Sequence, residues 1–250
     1  MPYLVSIITP LHNSAQYIAE TIDSVMAQTY THWELIIVDD CSEDNSFEIA
    51  QDYARKDARI KLLRLTQNSG AAVARNTAIE KAEGRFIAFL DSDDQWKPQK
   101  LEKQLSFMIA NNHAFAFTAY EKMDEKGKPA GSIDVPLSVS YKDLLRTCSI
   151  GCLTVIYDTH LLGKVFMPLI EKRQDYGLWL KILKTIPKAY GMQEKLALYR
   201  VRSNSLSGNK INAARYQWKV YREVEKLNLF KSSYYFTNYF LHGFIKTFLK

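Results

Sequence analysis

The segment Arg85-Phe86-Ile87-Ala88-Phe89-Leu90-Asp91-Ser92-Asp93-Asp94 joins an apolar run to three carboxylates within four positions. Gly84 precedes the run and Pro98 follows it, a pattern typical of a buried strand with the acids just beyond its carboxyl end. Ligands of open α/β sheets bind at that edge. An Asp-x-Asp pair suits Mg²⁺, which takes one or two carboxylates and completes its octahedron with phosphates and water. The alternative is that Asp91 only caps the following helix.

The chain before this segment alternates strands with helices. The predicted strands are residues 4–9, 34–38 and 60–65, and helices are predicted at about 18–28, 44–54 and 71–84. We expect Gly84 to end the third helix as its C′ residue. This alternation predicts βαβ units, a mainly parallel sheet and helices on both faces. Right-handed crossovers then bring the loops 10–13, 39–44 and 91–95 to one crevice.

The chain after this segment mixes strands, short helices and a hairpin. Predicted helices begin at Pro98, at Tyr141 and at Arg173-Gln174-Asp175, and predicted strands are residues 114–120, 153–157 and 195–202. A turn at 124–128 is expected to pair the strand 114–120 with residues 132–135.

Composition limits the partners and the location of the protein. The formal net charge of +6 favours polyanionic partners such as nucleic acid, phosphorylated substrates or anionic lipid. The three cysteines, Cys41, Cys148 and Cys152, lack zinc-ligand spacing, so reduced thiols in a cytoplasmic setting are expected. Residues 1–3 show no signal peptide, and no apolar run reaches the ~18 residues of a spanning helix.

The character of the sequence changes at about Lys210, where aromatic residues lie on a basic background. Basic helices that carry aromatic residues lie in membrane interfaces, so our preferred interpretation is a peripheral contact with an anionic bilayer. Packing of these aromatic residues on the rest of the chain, or in an oligomer, is an equal alternative. Binding of single-stranded nucleic acid is a third interpretation and the least expected.

Motifs in a fixed order along residues 3–208 resemble those of family 2 glycosyltransferases. They are Val5-Ser6-Ile7-Ile8-Thr9-Pro10 with Asn13, Trp33-Glu34-Leu35-Ile36-Ile37-Val38-Asp39-Asp40, Asn68 with Gly70, Ala74-Arg75-Asn76, Phe89-Leu90-Asp91-Ser92-Asp93-Asp94, Trp96 with Pro98, Asp175 with Leu178-Trp179-Leu180, and Tyr199-Arg200 with Ser205 and Ser207. Within the family, the chain is most similar to bacterial enzymes of teichuronic acid and other surface-polysaccharide synthesis. The resemblance implies an α/β fold of the GT-A (Rossmann-like) type: an α/β/α sandwich with a mainly parallel central sheet. A catalytic domain would span residues 1–208, and residues 209–250 would form a basic, aromatic, helical extension.

The resemblance also implies a donor site for a UDP-sugar. The residues that would form the nucleotide-sugar site are Pro10, His12, Asn13, Asp40, Asn68, Gly70, Arg75, Asp91, Ser92 and Arg202, with Asn68 and Gly70 shaping the turn beside Arg75. Asp40 would accept a hydrogen bond from the uracil N3–H, and Arg75 would reach the base or the phosphates. Asp93, with Asp91, would hold Mg²⁺ or Mn²⁺ on the diphosphate, where the ion stabilises the departing UDP.

The catalytic residue implied by the resemblance is Asp175. It would act as the general base that takes a proton from an acceptor hydroxyl, in a single displacement with inversion. The plainer interpretation is a carboxylate in the first turn of a helix, which is compatible with catalysis. Two positions depart from the family pattern. Gln174 replaces a common glutamate, and Arg202 replaces a common histidine and would neutralise the diphosphate directly.

These features predict an inverting, metal-dependent glycosyltransferase that extends a glycan or lipid-linked saccharide at the inner face of a bacterial membrane. A nucleotidyltransferase is the alternative enzyme, but such enzymes normally carry a glycine-rich, basic loop after the first strand, where this chain has Leu11-His12-Asn13-Ser14. Nucleic acid is not an expected partner, and an oligomer is left open.

Overall fold

Ten strands form one sheet in the computed structural model, which describes residues 3–202 and 210–248, with side chains for 3–202 and 213–241. The strands are β1 Val5–Leu11, β2 Trp33–Asp39, β3 Ile60–Arg64, β4 Phe86–Phe89, β5 Gln95–Trp96, β6 Phe115–Met123, β7 Pro129–Ile133, β8 Ser138–Val139, β9 Ile156–Asp158 and β10 Ala189–Arg200. Their order is β3-β2-β1-β4-β9-β6-β10-β5, with β7 paired to β6 and β8 to β10.

The predicted α/β/α sandwich with a mainly parallel sheet is confirmed. Strands β1 to β4 are parallel neighbours, and β6 and β10 run in the same direction. β9 lies antiparallel between β4 and β6. The predicted strand 153–157 is therefore only partly correct, because a 3₁₀ turn occupies Cys152–Thr154 and the strand begins at Ile156.

Helices cover both faces of the sheet and extend beyond it at the carboxyl terminus. They are α1 Ile18–Met26, α2 Ser46–Lys56, α3 Ala71–Lys81, α4 Lys100–Ala110, α5 Tyr141–Arg146, α6 Thr159–Leu162, α7 Gln174–Ile182, α8 Lys210–Lys219 and α9 Leu229–Phe248, with a π-helical turn at Val220–Val224.

Alternation along the central strand produces a separate hydrophobic core on each face. Ile7 of β1 lies in the core with α1 and α4, whereas the adjacent Ile8 lies in the core with α3 and α7. Successive side chains of a strand point to opposite faces of the sheet, so a two-sided core requires the near-continuous apolar strands seen here. Polar side chains that could form a site are consequently left to the loops at the strand ends and to the helices beside them.

The prediction that Gly84 ends α3 is wrong. α3 stops at Lys81, and Ala82 is already extended. Glycine is required at position 84 because the backbone of β1 passes close to it, and a Cβ there would lie 2.6 Å from the backbone nitrogen of Ser6. The Gly84 N–H donates to Ser6 Oγ, which itself donates to Glu34 Oε1 at 2.5 Å. These contacts tie β1, β2 and β4 together at the edge opposite the acidic loops.

The carboxyl-terminal helices pack against the sheet domain through one side. Val220 and Tyr221 are fully buried in the core that also contains Trp179, and Tyr221 Oη donates to the Leu145 carbonyl at 2.5 Å. The other side of α9 is open, and Phe230 is 90% exposed. Within the described parts of the chain, no helix is both long and apolar enough to cross a bilayer. The predicted boundary between residues 208 and 209 lies outside the described residues.

Candidate active site

The loop after β2 is joined to the loop before α3 by the carboxylate of Asp40. Asp40 is buried, and its two oxygens accept the backbone N–H groups of Ser69 at 2.6 Å and Gly70 at 2.8 Å. Gly70 has a φ of +87°, in the left-handed region that favours glycine. The turn can therefore present two successive N–H groups to one carboxylate, which fixes the start of α3 beside the end of β2.

Polar side chains at the ends of β1 and β3 meet around His12. Its Nδ1 lies 2.9 Å from the Asp40 carbonyl oxygen, and its Nε2 lies 3.2 Å from Asn68 Nδ2 and 3.3 Å from Asn13 Nδ2. An amide nitrogen donates and a carbonyl accepts, so we assign the Nδ1–H tautomer to His12. Pro10 precedes this group in β1, where it pairs with Val38. The structure thus brings His12, Asn13 and Asn68 together next to Asp40.

A buried ion pair joins α3 to the end of β4. Arg75 is 7% exposed and its Nη2 donates to Asp91 Oδ1 at 2.5 Å. Burial alone would lower the pKa of Arg75, but the charge of Asp91 outweighs it and raises that pKa above its usual value. Arg75 Nε is buried and has no hydrogen-bond partner among the described residues. That N–H is a donor that a ligand oxygen in the crevice could satisfy.

The three carboxylates of the Asp91–Asp94 segment have different environments. Asp93 accepts from Arg202 Nη1 at 3.1 Å; burial and the charge of Asp91 raise the pKa of Asp93, while Arg202 opposes that rise. Asp94 is almost fully buried, accepts the Arg200 N–H at 2.8 Å, and has a pKa well above its usual value because of burial. Asp94 is therefore an internal residue, whereas the side chains of Asp91 and Asp93 are partly exposed.

Ser92 and Arg200 hold the acidic loop in place. Ser92 Oγ donates to Ser14 Oγ at 3.0 Å, linking the loops after β4 and β1. Arg200 is buried, donates from Nε to the Asp93 carbonyl at 2.8 Å, and pairs with Glu20 at 2.6 Å. The sequence placed Arg200 in a motif but gave no role for it. Its position at the last residue of β10 is the signal that could have assigned one, because the functional groups of such sheets gather at the carboxyl ends of strands.

Asp175 lies on α7, and its charge interacts with those of Arg75 and Asp91. It is the second residue of that helix, in the first-turn position that the sequence predicted. Burial raises the pKa of Asp175, Arg75 opposes the rise, and Asp91 adds to it. These charge interactions place Asp175 near the Arg75–Asp91 pair. Cys152 belongs to the same surroundings, because its thiol interacts with Asp91, Arg75 and Asp175 and burial raises its pKa. No sequence pattern pointed to Cys152.

The carboxylates of Asp91 and Asp93 fit a hard divalent ion. Their mutual repulsion contributes to the raised pKa of Asp93, and an added cation would relieve that repulsion. No group of three or more His, Cys, Asp and Glu side chains suited to a metal is found within residues 3–202 and 213–241. An ion held here would take its remaining ligands from substrate phosphates and water, as Mg²⁺ usually does.

Solved structures share this fold. The chain superposes on Staphylococcus aureus TarS 1–349 in complex with UDP-GlcNAc with a TM-score of 0.72 and 22% identity, over 93% of this chain and 70% of that one. It also superposes on the mannosyltransferase PcManGT of Pyrobaculum calidifontis in complex with GDP-Man and Mn²⁺, with a TM-score of 0.69 and 18% identity, over 89% and 64% of the two chains.

Sequence comparisons identify the family of the chain as well as its fold. The chain is 51% identical to TuaG of Bacillus subtilis (strain 168), named for teichuronic acid biosynthesis, over 94% of each protein. It is 42% identical to WfgD of Escherichia coli, named as a UDP-Glc:α-D-GlcNAc-diphosphoundecaprenol β-1,3-glucosyltransferase, over 98% of this chain and 95% of that protein. A model described as glycosyl transferase family 2 matches residues 6–161, which contain the loops after β1, β2 and β4. The chain is a GT-A-fold glycosyltransferase that belongs to glycosyl transferase family 2.

Proposed function

We propose that this protein is an inverting glycosyltransferase that moves a sugar from a UDP-sugar to a hydroxyl of a lipid-linked surface glycan, with a divalent ion. The observation that carries the proposal is the convergence of Arg75, Asp91, Asp93 and Asp175 from three elements at one edge of the sheet. The names of two relatives support it, since TuaG is named for teichuronic acid biosynthesis and WfgD for a UDP-glucose donor and a diphosphoundecaprenol-linked acceptor.

The uridine would lie over the loops that Asp40 joins. Each oxygen of Asp40 already accepts one backbone N–H, and a carboxylate oxygen has a second lone pair that can accept from the uracil N3–H. The side chains of His12, Asn13 and Asn68 form a polar surface beside Asp40. Arg75 would donate its unpartnered Nε–H to an oxygen of the donor. TarS of S. aureus, whose fold is shared, has been solved with UDP and with UDP-GlcNAc.

The diphosphate would lie against Asp91, Asp93 and Arg202. Asp93 and Asp91 would hold Mg²⁺ or Mn²⁺, whose charge stabilises the negative charge that develops on the departing UDP. Arg202 pairs with Asp93 in this structure, and its guanidinium would turn to a phosphate oxygen when the carboxylate ligates the ion. Asp175 would accept the proton of the acceptor hydroxyl as its oxygen attacks the anomeric carbon from the face opposite UDP.

The Asp93→Asn variant tests the metal part of this proposal. Saturating UDP-sugar is expected to raise the melting temperature of the wild type further with Mn²⁺ than without it, because a ligand that binds only the folded state stabilises it by mass action. We expect Asp93→Asn to lose the Mn²⁺-dependent part of that shift and to keep the metal-independent part. Differential scanning fluorimetry at several Mn²⁺ concentrations measures both.

The matched control for Asp93→Asn is Asp124→Asn, which removes a carboxylate from the turn between β6 and β7. We expect Asp124→Asn to keep the full Mn²⁺ effect. An unchanged Mn²⁺ effect in Asp93→Asn would remove Asp93 as a ligand of the ion.

We further propose that α9 lies on the anionic cytoplasmic surface of a bacterial membrane. Phe230, Tyr234 and Leu241 are exposed at positions that share one face of the helix. Residues 210–250 contain eight lysines and arginines and two glutamates, and that excess of six equals the formal net charge of the whole chain. A helix with exposed aromatic and apolar residues and a basic background has the chemistry of an interfacial anchor. This contact would bring the active site to a lipid-linked acceptor.

Vesicle binding tests the membrane contact. The triple variant Phe230→Ser, Tyr234→Ser, Leu241→Ser is expected to bind vesicles of anionic phosphatidylglycerol at least tenfold more weakly than the wild type, since burying one such side chain contributes ~1.5–3 kcal/mol. Cosedimentation measures the difference. Leu137→Ser is the matched control because Leu137 is 74% exposed on the sheet domain, and we expect no change there. Equal binding by all three proteins, or loss of a dimer in the triple variant without loss of vesicle binding, would contradict the proposal.

A further inference from the structure

One glutamine of the carboxyl-terminal extension contacts two residues that flank the proposed base in the chain. Gln217 of α8 is fully buried. Its Oε1 accepts from Arg173 Nη1 at 2.5 Å, and its Nε2 donates to Tyr176 Oη at 2.9 Å. Arg173 is the N-cap residue of α7, two positions before Asp175, and Tyr176 follows Asp175 directly. A single amide from another element therefore holds the turn that carries Asp175 at two points.

The backbone at Arg173 depends on this support. Arg173 has a φ of +63°, in the left-handed region, which is uncommon for a residue with a long side chain. Residues in sparsely populated backbone regions persist only when their surroundings hold them there. Arg173 Nη2 also donates to Tyr239 Oη of α9 at 2.5 Å, and the Arg173 guanidinium lies 5.1 Å from the centre of the Tyr239 ring. Both of these hydrogen bonds of the Arg173 side chain thus go to residues of the extension.

We propose that Gln217 is a positioning residue for the transfer reaction, through which the carboxyl-terminal extension orients the first turn of α7 and with it Asp175. The inference rests on the proposed role of Asp175 as base. Gln217 touches neither substrate nor reacting atoms and acts only through Arg173 and Tyr176. The family match ends at residue 161, so α7 and the extension both lie beyond the region that defines the family. The extension thus holds the turn that carries the proposed base, in addition to exposing one face of α9.

The geometry predicts an effect on the rate of transfer and not on donor binding. The loops that would bind the nucleotide are held by Asp40, Ser14 and Arg200, none of which contacts α8 among the bonds described above. A misplacement of a catalytic group by about 1 Å can cost on the order of 10²-fold in rate. We expect Gln217→Met, which keeps the side-chain volume and removes both hydrogen bonds, to lower kcat about 10- to 100-fold and to leave KM for the donor unchanged.

Three further variants distinguish a displacement of Asp175 from a general loss of stability. Gln217→Glu keeps an acceptor for Arg173 and is expected to recover most of the lost kcat. Tyr141→Phe removes the bond from Tyr141 to Glu225, which ties the extension to the sheet domain near the end of α7 that is remote from Asp175, and is expected to lower the melting temperature without changing kcat. Tyr239→Phe removes one contact of Arg173 and is expected to lower kcat less than Gln217→Met. Steady-state kinetics on the full chain, below every variant's melting temperature, measure these effects.

The outcomes distinguish the inference from the function on which it rests. An unchanged kcat in Gln217→Met, together with an inactive Asp175→Asn, would overturn the positioning role alone. If Tyr141→Phe lowers kcat as much as Gln217→Met does, the loss reflects a general loss of stability and the positioning role is overturned. The same holds if the donor KM of Gln217→Met rises together with the fall in kcat. Retained turnover in Asp175→Asn would overturn both the base and its positioning. A selective fall in kcat that Gln217→Glu reverses supports the inference.

Discussion

Asp175→Asn is expected to bind the UDP-sugar donor as the wild type does and to lose ~10²–10⁴-fold of the transfer rate. Asparagine keeps the size of the side chain and the helix position but cannot take the proton of the acceptor hydroxyl. A positioned general base contributes a factor of that order. Asp175 is not among the residues that would hold the nucleotide, so the donor-induced rise in melting temperature should persist. Single-turnover transfer with a radiolabelled donor measures the loss.

The pH dependence of kcat gives the same test a second readout. The base must be ionised, so activity is lost as the pH falls through the pKa of Asp175. Burial raises that pKa despite the opposing charge of Arg75, so the acidic limb of the wild-type profile is expected above the ordinary range of aspartate. Asp175→Asn should lack this limb. Glu80→Gln is the control, since it neutralises an exposed carboxylate near the carboxyl end of α3, away from the site. Equal transfer by Asp175→Asn and the wild type would remove Asp175 as base.

Much of the fold could be predicted because local patterns in the sequence determine its strands. The apolar runs that became β1, β2 and β4 are buried on both sides, so each is nearly continuous and ends sharply at polar residues. Right-handed crossovers then bring the ends of these strands to one edge without any long-range information. For this reason the sequence predicted that the loops carrying Asp40 and Asp91 share one crevice, whereas the role of Arg75 came only from the resemblance to the family.

The rest depends on contacts between distant residues. Gly84 is glycine because of Ser6, which lies 78 positions earlier, so its local context suggested a helix end instead. Asp94 cannot be distinguished from Asp93 by spacing, since only the N–H of Arg200 shows that Asp94 points into the protein. Gln217 contacts Arg173 across 44 positions, and an isolated glutamine in a helix carries no pattern. Periodicity reports which face of an element is buried but not which element covers it.

Asp91→Asn is expected to lower the free energy of unfolding by about 3 kcal/mol, because it leaves Arg75 buried without a counter-ion. Removing one partner of a buried ion pair costs ~3–5 kcal/mol, and the side chain of Asp91 is 31% exposed, which favours the lower end. The same substitution in Asp52→Asn, where both partners of the Arg55–Asp52 pair are more than 60% exposed, should change stability by less than ~1 kcal/mol. Urea denaturation without ligand measures both values.

The double variant Arg75→Gln, Asp91→Asn measures the coupling free energy between the charges of Arg75 and Asp91, because the amides occupy similar space without the charges. Replacing both charged groups by amides removes the uncompensated cation, so the double variant should be more stable than the sum of the two single losses predicts. Side chains in direct contact show coupling free energies of ~0.5–3 kcal/mol, and a buried charge pair should lie in the upper half of that range. Additive losses would mean that Arg75 finds another counter-ion when Asp91 is neutralised. The charge of Asp175 also raises the pKa of Arg75, so that result would tie the stability of α3 to the ionisation of the proposed base.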